Sequence, residues 1–366
     1  MSNSEIRYPM VELDLKKFRN NIDQAVQRCG KIGIDLAGVI KGFTGIPEGA
    51  KEFADAGCKF IASSRLEQIQ GCIDFGIKAT YMLIRVPMLS ELEEAIRLTD
   101  ISLNSEVEVL KALNAEALKQ GKTHKVILMV DLGDLREGFW DKKELLDAAL
   151  MVENELDGLY LAGVGTNLGC YGSILATPEK MNELIADAEM IEKAIGRTLD
   201  IISGGATTSF PLVINGTMPK RINNLRMGEG IILAKDLKDL FRMDMSFMYQ
   251  DAFTLKAQII EVKNKPSYPV GELSFDAFGN VGTYTDRGIR KRALIGIGKV
   301  DVAFPDMIYP RDKDIEVLGA SSDHLILDIE DSKIDYKVGD IVEFDLCYAT
   351  IVFATNSPNV RIVCKK

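Results

Sequence analysis

The chain has 366 residues, 46% of them apolar, which is enough for one large domain and a smaller one. Its 44 Lys and Arg against 54 Asp and Glu give a net charge of -10, and no basic stripe is interleaved with aromatic residues, so nucleic acid is not an expected partner. No uninterrupted apolar stretch approaches the roughly 20 residues that span a bilayer, so we expect no membrane insertion and a small-molecule ligand.

From about residue 9 to 235, short apolar runs alternate with longer amphipathic stretches. The longer stretches, such as 143–154 and 178–194, have the i, i+3, i+4, i+7 apolar spacing of helices. Eight such repeats predict a parallel (β/α)8 TIM barrel, with the first strand left over to pair elsewhere. The predicted strands are Val11–Leu15, Leu36–Ile40, Phe60–Ala62, Ala79–Ile84, Ile101–Leu103, Lys125–Val130, Leu159–Val164, Ile201–Ser203 and Asn224–Met227.

After Met245 the pattern changes to strand-like runs separated by Gly, Asn and Asp clusters, as hairpin turns require. We therefore predict a barrel domain over residues 1–245 and a C-terminal β-strand domain over 246–366. The predicted strands of the second domain are Thr254–Val262, Arg292–Gly296, Glu316–Leu318, His324–Ile329, Ile341–Leu346 and Ala349–Ala354.

Lys41 closes the apolar run 36–40 and opens a glycine-containing loop. A lysine at the end of a buried strand stands where a barrel enzyme places a reactive amine, so Lys41 is a candidate to form a Schiff base. A lone lysine there is more often a surface residue, and the interpretation depends on the sequence around it.

Two late segments of the barrel, 203–209 and 227–230, are rich in small residues and each follows a predicted strand. Small residues let backbone N–H groups approach an anion closely, and the late loops of a barrel are its usual phosphate site. The two segments together predict a phosphate cradle.

The chain resembles the alanine racemase family, the fold-type III enzymes that use pyridoxal 5'-phosphate (PLP). The resemblance extends through most of the chain, and two of its segments, 131–138 and 163–172, are similar to the alanine/ornithine racemase branch. It implies an amino-acid racemase, an isomerase, that binds PLP and needs no metal ion. The segments that carry it are 8–21 with Lys41, 60–67, 131–138, 163–172, 203–209, 226–228 and 282–286.

The resemblance also implies roles for individual residues around PLP. Lys41 would hold the cofactor, Arg226 would face its pyridine nitrogen, and Arg136 would contact its phenolic oxygen and the substrate carboxylate. An arginine at the pyridine nitrogen, as implied for Arg226, donates a hydrogen bond without readily protonating the ring. This suits proton exchange at Cα rather than transamination. The other expected cofactor contacts are Ser203, Gly204, Gly205, Thr207, Gly228, Glu229 and Tyr348.

Racemisation needs proton delivery on both faces of a planar carbanion, which one base cannot easily provide. The resemblance assigns Lys41 to one face and Tyr284 to the other, with Ser322 and Asp323 beside the substrate. In the family the tyrosine and the aspartate belong to the neighbouring subunit's active site. A head-to-tail homodimer with shared active sites is therefore expected.

Two positions depart from the family pattern. Met129 stands where alanine racemases often have a carbamylated lysine that holds the arginine corresponding to Arg136, so Asp134 or Glu137 would have to provide that support. Phe43 stands where they have a phosphate-binding tyrosine, which leaves more of that contact to the polar side chains of the cradle and to Tyr348.

The most similar branch makes interconversion of L- and D-ornithine the expected reaction, with alanine, lysine, serine and arginine as alternative substrates. A terminal ammonium would need a carboxylate, for which Asp323, Asp301 and Asp286 are candidates. Two other classes stay open: a non-catalytic PLP-binding homeostasis protein, which the extra β domain disfavours, and a metal-assisted D-amino-acid aldolase, whose histidine and acid metal pair has no evident counterpart here.

The six cysteines have neither a C-x-x-C pair nor metal-ligand spacing, and the N-terminus lacks the pattern of a signal sequence. We therefore expect free thiols and a cytoplasmic protein. His124, which lies in a polar stretch before a strand, is expected to be a solvated loop residue.

Overall fold

The computed structural model describes residues 7–366 and divides into two compact units. One unit spans Lys16–Tyr249, and the other combines residues 7–15 with Gln250–Lys366. The first unit is a closed barrel of eight parallel strands in chain order, which confirms the predicted (β/α)8 barrel followed by a β-rich domain. Its strands are β2 (Asp35–Val39), β3 (Phe60–Ser63), β4 (Thr80–Leu83), β5 (Ile101–Asn104), β6 (His124–Met129), β7 (Leu159–Gly165), β8 (Ile201–Ser203) and β9 (Asn224–Met227).

The helices of the barrel unit alternate with its strands, and their apolar faces are buried. Helix α1 (Leu15–Gly30) shows the pattern, because its buried residues recur at the spacing of one helical face. No helix within residues 7–366 is long and apolar enough to cross a membrane. The other helices of this unit are α2 (Pro47–Asp55), α3 (Leu66–Asp74), α4 (Leu92–Leu98), α5 (Val107–Lys119), α6 (Lys142–Glu155), α7 (Pro178–Ile195), α8 (Phe210–Ile214), α9 (Glu229–Ile232) and α10 (Lys235–Asp239).

Side chains from the strands fill the barrel interior, and one strand approaches its neighbour unusually closely. The register between β6 and β7 shifts after Val126, and Gly163 follows this irregularity. A Cβ atom at Gly163 would lie 1.8 Å from the carbonyl oxygen of Ile201 on β8. Only glycine therefore fits at this point of the strand.

The second unit is a β-sheet assembled from both ends of the chain. Strand β1 (Met10–Asp14) pairs antiparallel with β10 (Phe253–Pro266) and parallel with β16 (Arg361–Lys365). These pairings explain why β1, the strand left over from the barrel, belongs to this unit, whereas the division expected from sequence includes it in residues 1–245. The remaining strands are β11 (Ile289–Ile295), β12 (Tyr309–Pro310), β13 (Glu316–Ala320), β14 (Leu325–Asp328) and β15 (Ile341–Asp345).

The second unit also contains two helices, α11 (Lys299–Val302) and α12 (Tyr348–Ala354). The prediction that residues 349–354 form a strand is wrong, because α12 occupies them. β-branched residues favour a strand locally. The hydroxyl of Thr350 nevertheless accepts a hydrogen bond from the Cys347 N–H at 3.0 Å and caps the helix, which buries Thr350, Ile351 and Ala354.

His124 is buried, so the prediction of a solvated loop residue is also wrong. It is 2% exposed at the start of β6, and its Nε2 atom lies 2.8 Å from the hydroxyl of Ser102. Burial lowers the pKa of His124 to about 4, which keeps the ring neutral near pH 7. The imidazole therefore serves as a satisfied core group.

We predict that Gly163→Ala destabilises the protein by about 1–3 kcal/mol, because the new methyl group overlaps the backbone of β8. Gly30→Ala is the matched control, since no atom lies within 4 Å of a Cβ atom at Gly30. Urea unfolding followed by circular dichroism should separate the two variants. Equal midpoints for both would contradict the close approach of β7 and β8.

Candidate active site

Lys41 lies at the carboxyl end of β2 and begins a short 3-10 turn, Lys41–Phe43. The N–H of Ile40 is still held by the carbonyl of Ala62 at 2.9 Å, so the lysine is the first residue after the barrel ladder. Thr44, with φ 57°, closes the turn by donating its N–H to the Lys41 carbonyl. The structure thus places the predicted lysine on the rim where barrel enzymes hold their reactive groups.

Groups from other parts of the barrel act electrostatically on the Lys41 amine. Burial lowers the pKa of Lys41 most strongly, and the positive charges of Arg136 and Arg226 lower it further. Glu137 and Cys170 act in the opposite direction and raise it. A larger fraction of the Lys41 amine is therefore neutral than in an exposed lysine. The neutral amine is the form that acts as nucleophile or base.

Arg226 lies on β9 and is 4% exposed. Its Nη1 atom donates to the hydroxyl of Ser203, and its Nη2 atom donates to the carbonyl of Thr166 at 2.7 Å. Burial lowers the pKa of Arg226 to about 10. Within residues 7–366 it forms no ion pair, so this buried cation is held by neutral oxygens and its remaining N–H donors stay available.

Arg136 pairs with its neighbour Glu137. Its Nε and Nη2 atoms donate to the two carboxylate oxygens of Glu137 in a bidentate arrangement. This hydrogen-bonded pair raises the pKa of Arg136. Asp134 and Glu137 were the two candidates to support Arg136, and Glu137 is the one that contacts it.

Asp134 has a different role. It is 1% exposed, and its carboxylate accepts the backbone N–H groups of Gly169 at 2.8 Å, Tyr171 at 3.0 Å and Ile174 at 3.3 Å. Burial alone would raise the pKa of Asp134, but these N–H donors hold it below its usual value. Asp134 therefore fixes the loop after β7, which carries Cys170.

Both departures from the family pattern lie in apolar surroundings. Met129 is fully buried with the apolar side chains that fill the barrel. Phe43 is also fully buried, with its ring centroid 5.6 Å from Phe18 and 6.2 Å from Phe53. The apolar packing of Phe43 leaves the phosphate contact to the polar groups of the cradle.

The two segments that are rich in small residues, 203–209 and 227–230, contact each other and leave backbone N–H groups that can bind an anion. The hydroxyl of Thr207 accepts the Gly230 N–H at 3.0 Å and so joins the loops after β8 and β9. Gly205 has φ +109°, and the N–H groups of Ala206, Thr207 and Thr208 have no hydrogen-bond acceptor among the described residues. Free N–H groups of this kind can bind a phosphate. The residues present therefore fit the phosphate of PLP.

Two of the expected cofactor contacts point their side chains elsewhere. The Ser203 hydroxyl bonds with Arg226 and with Asn224, at 2.6 Å from the Asn224 amide oxygen. The Glu229 carboxylate accepts the N–H groups of Lys235 and Asp236 at 2.9 and 3.0 Å, and burial raises its pKa to about 7. Ser203 thus supports Arg226, and Glu229 contributes its backbone to the loop that includes Gly228.

The remaining predicted residues belong to the β unit. Tyr284 is 47% exposed and makes an edge contact with the ring of Tyr268. The Ser322 hydroxyl donates to Asp323 at 2.5 Å, and the Ser322 carbonyl accepts the N–H of Val300 at 3.1 Å.

Gly298 permits this arrangement of the Ser322 loop. A Cβ atom at Gly298 would lie 2.1 Å from the Ser322 carbonyl oxygen. Tyr348, the last of the predicted residues, is the first residue of α12.

Sequence reasoning missed three residues of the site: Thr166, Cys170 and Asn224. Asn224 precedes Arg226 by two positions on one strand, so it shares a face with the arginine and the alternation of a strand could have identified it. Thr166 and Cys170 contact or influence the site through the loop after β7, which no local pattern relates to Arg226.

A sequence model described as the N-terminal domain of alanine racemase matches residues 13–235. Ornithine racemase of Acetoanaerobium sticklandii is 39% identical over 345 residues, which cover 94% of this chain and 96% of the relative. Lysine racemase of Thermotoga maritima is 38% identical over 356 residues, 97% of this chain and 98% of the relative.

Among solved structures, alanine racemase of Streptomyces lavendulae superposes with a TM-score of 0.77 at 18% identity, covering 99% of this chain and 98% of the other. D-threonine aldolase of Filomicrobium marinum superposes with a TM-score of 0.72 at 16% identity, covering 97% and 90%. At such low identities these likenesses establish the shared fold and nothing more.

We predict that Glu137→Gln lowers the pKa of Lys41 further, because Glu137 is a nearby negative charge that raises it. Competitive acetylation of the cofactor-free protein, quantified at Lys41 by mass spectrometry across pH, should show half-maximal labelling at a lower pH than in the wild type. Glu144→Gln, an exposed change on α6, is the control and should leave the profile unchanged. An unchanged or higher midpoint for Glu137→Gln would contradict the prediction.

Proposed function

The chain belongs to the alanine racemase family, and we propose that it is an amino-acid racemase that interconverts L- and D-ornithine. The observation that carries this proposal is the cluster at the barrel rim, where Lys41 has a lowered pKa beside Arg136 and Arg226. Relatives covering nearly the whole chain are named ornithine racemase and lysine racemase, and both names specify an amino acid with a terminal amine. Alanine, lysine, serine and arginine are the alternative substrates.

PLP is the proposed cofactor, and when bound it supplies the electron sink that makes the Cα proton of an amino acid acidic. Lys41 would anchor it, and the free N–H groups of the cradle would hold its phosphate. The unused donors of Arg226 would hydrogen-bond its ring nitrogen. The other proposed contacts are Arg136, Gly204, Gly205, Thr207, Gly228, Glu229 and Tyr348, while the Ser203 side chain would act through Arg226.

Proton exchange at Cα then needs one base on each face of the substrate. Lys41, with its lowered pKa, accepts and returns the proton on one face. Tyr284 serves the other face. Arg136, held by Glu137, and the backbone of Ser322 are the groups that we propose for the substrate carboxylate.

Asp323 is the acid that we propose for the distal ammonium of ornithine. Asp301 is 4% exposed and already accepts hydrogen bonds from Ser357 at 2.6 Å and Asn359 at 3.2 Å. Asp286 accepts the Gly288 N–H at 2.9 Å within its own turn. Asp323 is exposed, with the Ser322 hydroxyl as its side-chain partner, so it can reach a ligand.

We further propose a homodimer in which Tyr284 and Asp323 complete the partner's site. The segment around Tyr284 exposes several large apolar side chains, including Val270 at 91% and Phe275 at 72% exposure. An apolar stretch of this kind is typical of a protein interface.

Because all six cysteines are free thiols, we also propose that the protein works in the reducing cytoplasm.

The proposed reaction predicts that purified protein with PLP converts L-ornithine to D-ornithine, roughly tenfold or more faster than it converts alanine, because a distal ammonium adds an ion pair. Chiral chromatography after incubation with ornithine, lysine, alanine, serine and arginine measures this. Another preferred amino acid would contradict the specificity. No D-product from any substrate would contradict the racemase and favour a PLP-binding homeostasis protein, while a requirement for magnesium or manganese would favour the aldolase.

The shared active site predicts that two inactive variants restore each other. Lys41→Ala and Tyr284→Phe should each lose most racemase activity. Mixed, unfolded and refolded together, they should recover about a quarter of the wild-type rate, since half of random dimers are mixed and each has one complete site. Each variant refolded alone is the control. If the wild type regains its activity after the same refolding but the mixture of variants does not, the sharing of Tyr284 between subunits is contradicted.

A further inference from the structure

Two side chains behind Arg226 form a buried chain of hydrogen bonds. Ser203 and Asn224 lie opposite each other on β8 and β9. The Ser203 hydroxyl is 2.6 Å from the Asn224 amide oxygen, and the same hydroxyl accepts a hydrogen bond from Arg226. Ser203, Asn224 and Arg226 are 0%, 1% and 4% exposed, so no solvent competes with these bonds.

The donor and acceptor directions along this chain are fixed. The amide nitrogen of Asn224 donates to the Asp35 carbonyl at 3.1 Å, so the amide oxygen faces Ser203. The reversed amide would bring two carbonyl oxygens together and leave its N–H groups without that acceptor. The single hydroxyl proton of Ser203 is therefore directed to Asn224, and only its lone pairs face Arg226.

This arrangement holds Arg226 without neutralising it. A carboxylate in the place of Ser203 would pair with the guanidinium and cancel its charge. The Ser203 hydroxyl can only accept a hydrogen bond from Nη1 of Arg226, and the Thr166 carbonyl accepts one from Nη2. Together the two acceptors fix the plane of the guanidinium. The Nε donor and the second hydrogens of both Nη atoms remain for a ligand.

We propose that Asn224 is a positioning residue that, by locking the Ser203 hydroxyl as an acceptor, orients Arg226 toward the pyridine nitrogen of PLP. This inference rests on the proposed function, since it takes PLP as the ligand. It assigns a role to a side chain that the mechanism does not otherwise use, and it explains why Ser203 contacts the arginine rather than the phosphate cradle.

Asn223, the residue directly before β9, provides a matched control. Its amide oxygen accepts the Ile202 N–H at 2.8 Å, and its amide nitrogen donates to the Asp200 carbonyl at 2.8 Å. Asn223 therefore ties β8 to its neighbour with as many bonds as Asn224, but none of them reaches Arg226. Replacing Asn223 therefore measures how much the loss of two such hydrogen bonds destabilises the fold, without a direct effect on Arg226.

The test compares Asn224→Leu, Ser203→Ala, Ser203→Thr and Asn223→Leu with the wild type. Fluorescence titration gives the dissociation constant for PLP, thermal melting of the cofactor-free protein gives stability, and racemisation assays give kcat and KM. We expect Asn224→Leu and Ser203→Ala to bind PLP roughly three- to tenfold more weakly and to lower kcat more than they raise KM. Ser203→Thr keeps the hydroxyl and should recover most of the PLP affinity that Ser203→Ala loses.

Asn223→Leu should lower the melting temperature while it leaves PLP affinity unchanged. The inference is overturned if Asn224→Leu binds PLP as tightly as the wild type, or if Asn223→Leu weakens binding by the same factor. If the wild type forms no D-amino acid but the affinities follow the expected order, the proposed reaction fails and the role of Asn224 stands. A wild type that binds no PLP overturns both.

Discussion

Closure of the barrel through the pairing of β2 with β9 is the constraint on which the candidate site depends. In this pairing Ala37 lies opposite Arg226 and Gly38 opposite Met227. Because parallel strands of a closed barrel end at one rim, the turn that begins with Lys41 comes beside the loop after β9. An open sheet with the same strand order would leave β2 and β9 at opposite edges. The lysine and the arginine would then lie far apart.

Closure also concentrates positive charge in a protein whose net charge is -10. Lys41, Arg136 and Arg226 act on one another at the rim, with the carboxylate of Glu137 as their counterion. Burial makes this excess costly, as the lowered pKa values of Lys41 and Arg226 show. A ligand with phosphate and carboxylate groups would offset that cost. The electrostatics that hold such a ligand are thus the same as those that keep Lys41 reactive.

Local patterns predicted the barrel strands and the position of Lys41, since both follow from the alternation of apolar runs with amphipathic segments. They could not decide between Asp134 and Glu137, which both lie within two positions of Arg136, because the donors that engage Asp134 come from a distant loop. The local preference for a strand at α12 was overridden by its cap and by burial of one helical face, and the expectation of a solvated His124 was overridden by burial against Ser102. Ser203 was assigned to the phosphate because its segment is rich in small residues, although its hydroxyl faces the adjacent strand.

The position of β1 between β10 and β16 has a consequence for biosynthesis. This strand precedes the barrel segment in the chain, whereas both of its partners follow that segment. During translation β1 therefore has no partner until β10 has emerged, and its second edge stays unpaired until β16 follows. A chain truncated directly after the barrel would keep β1 as an unpaired, aggregation-prone strand.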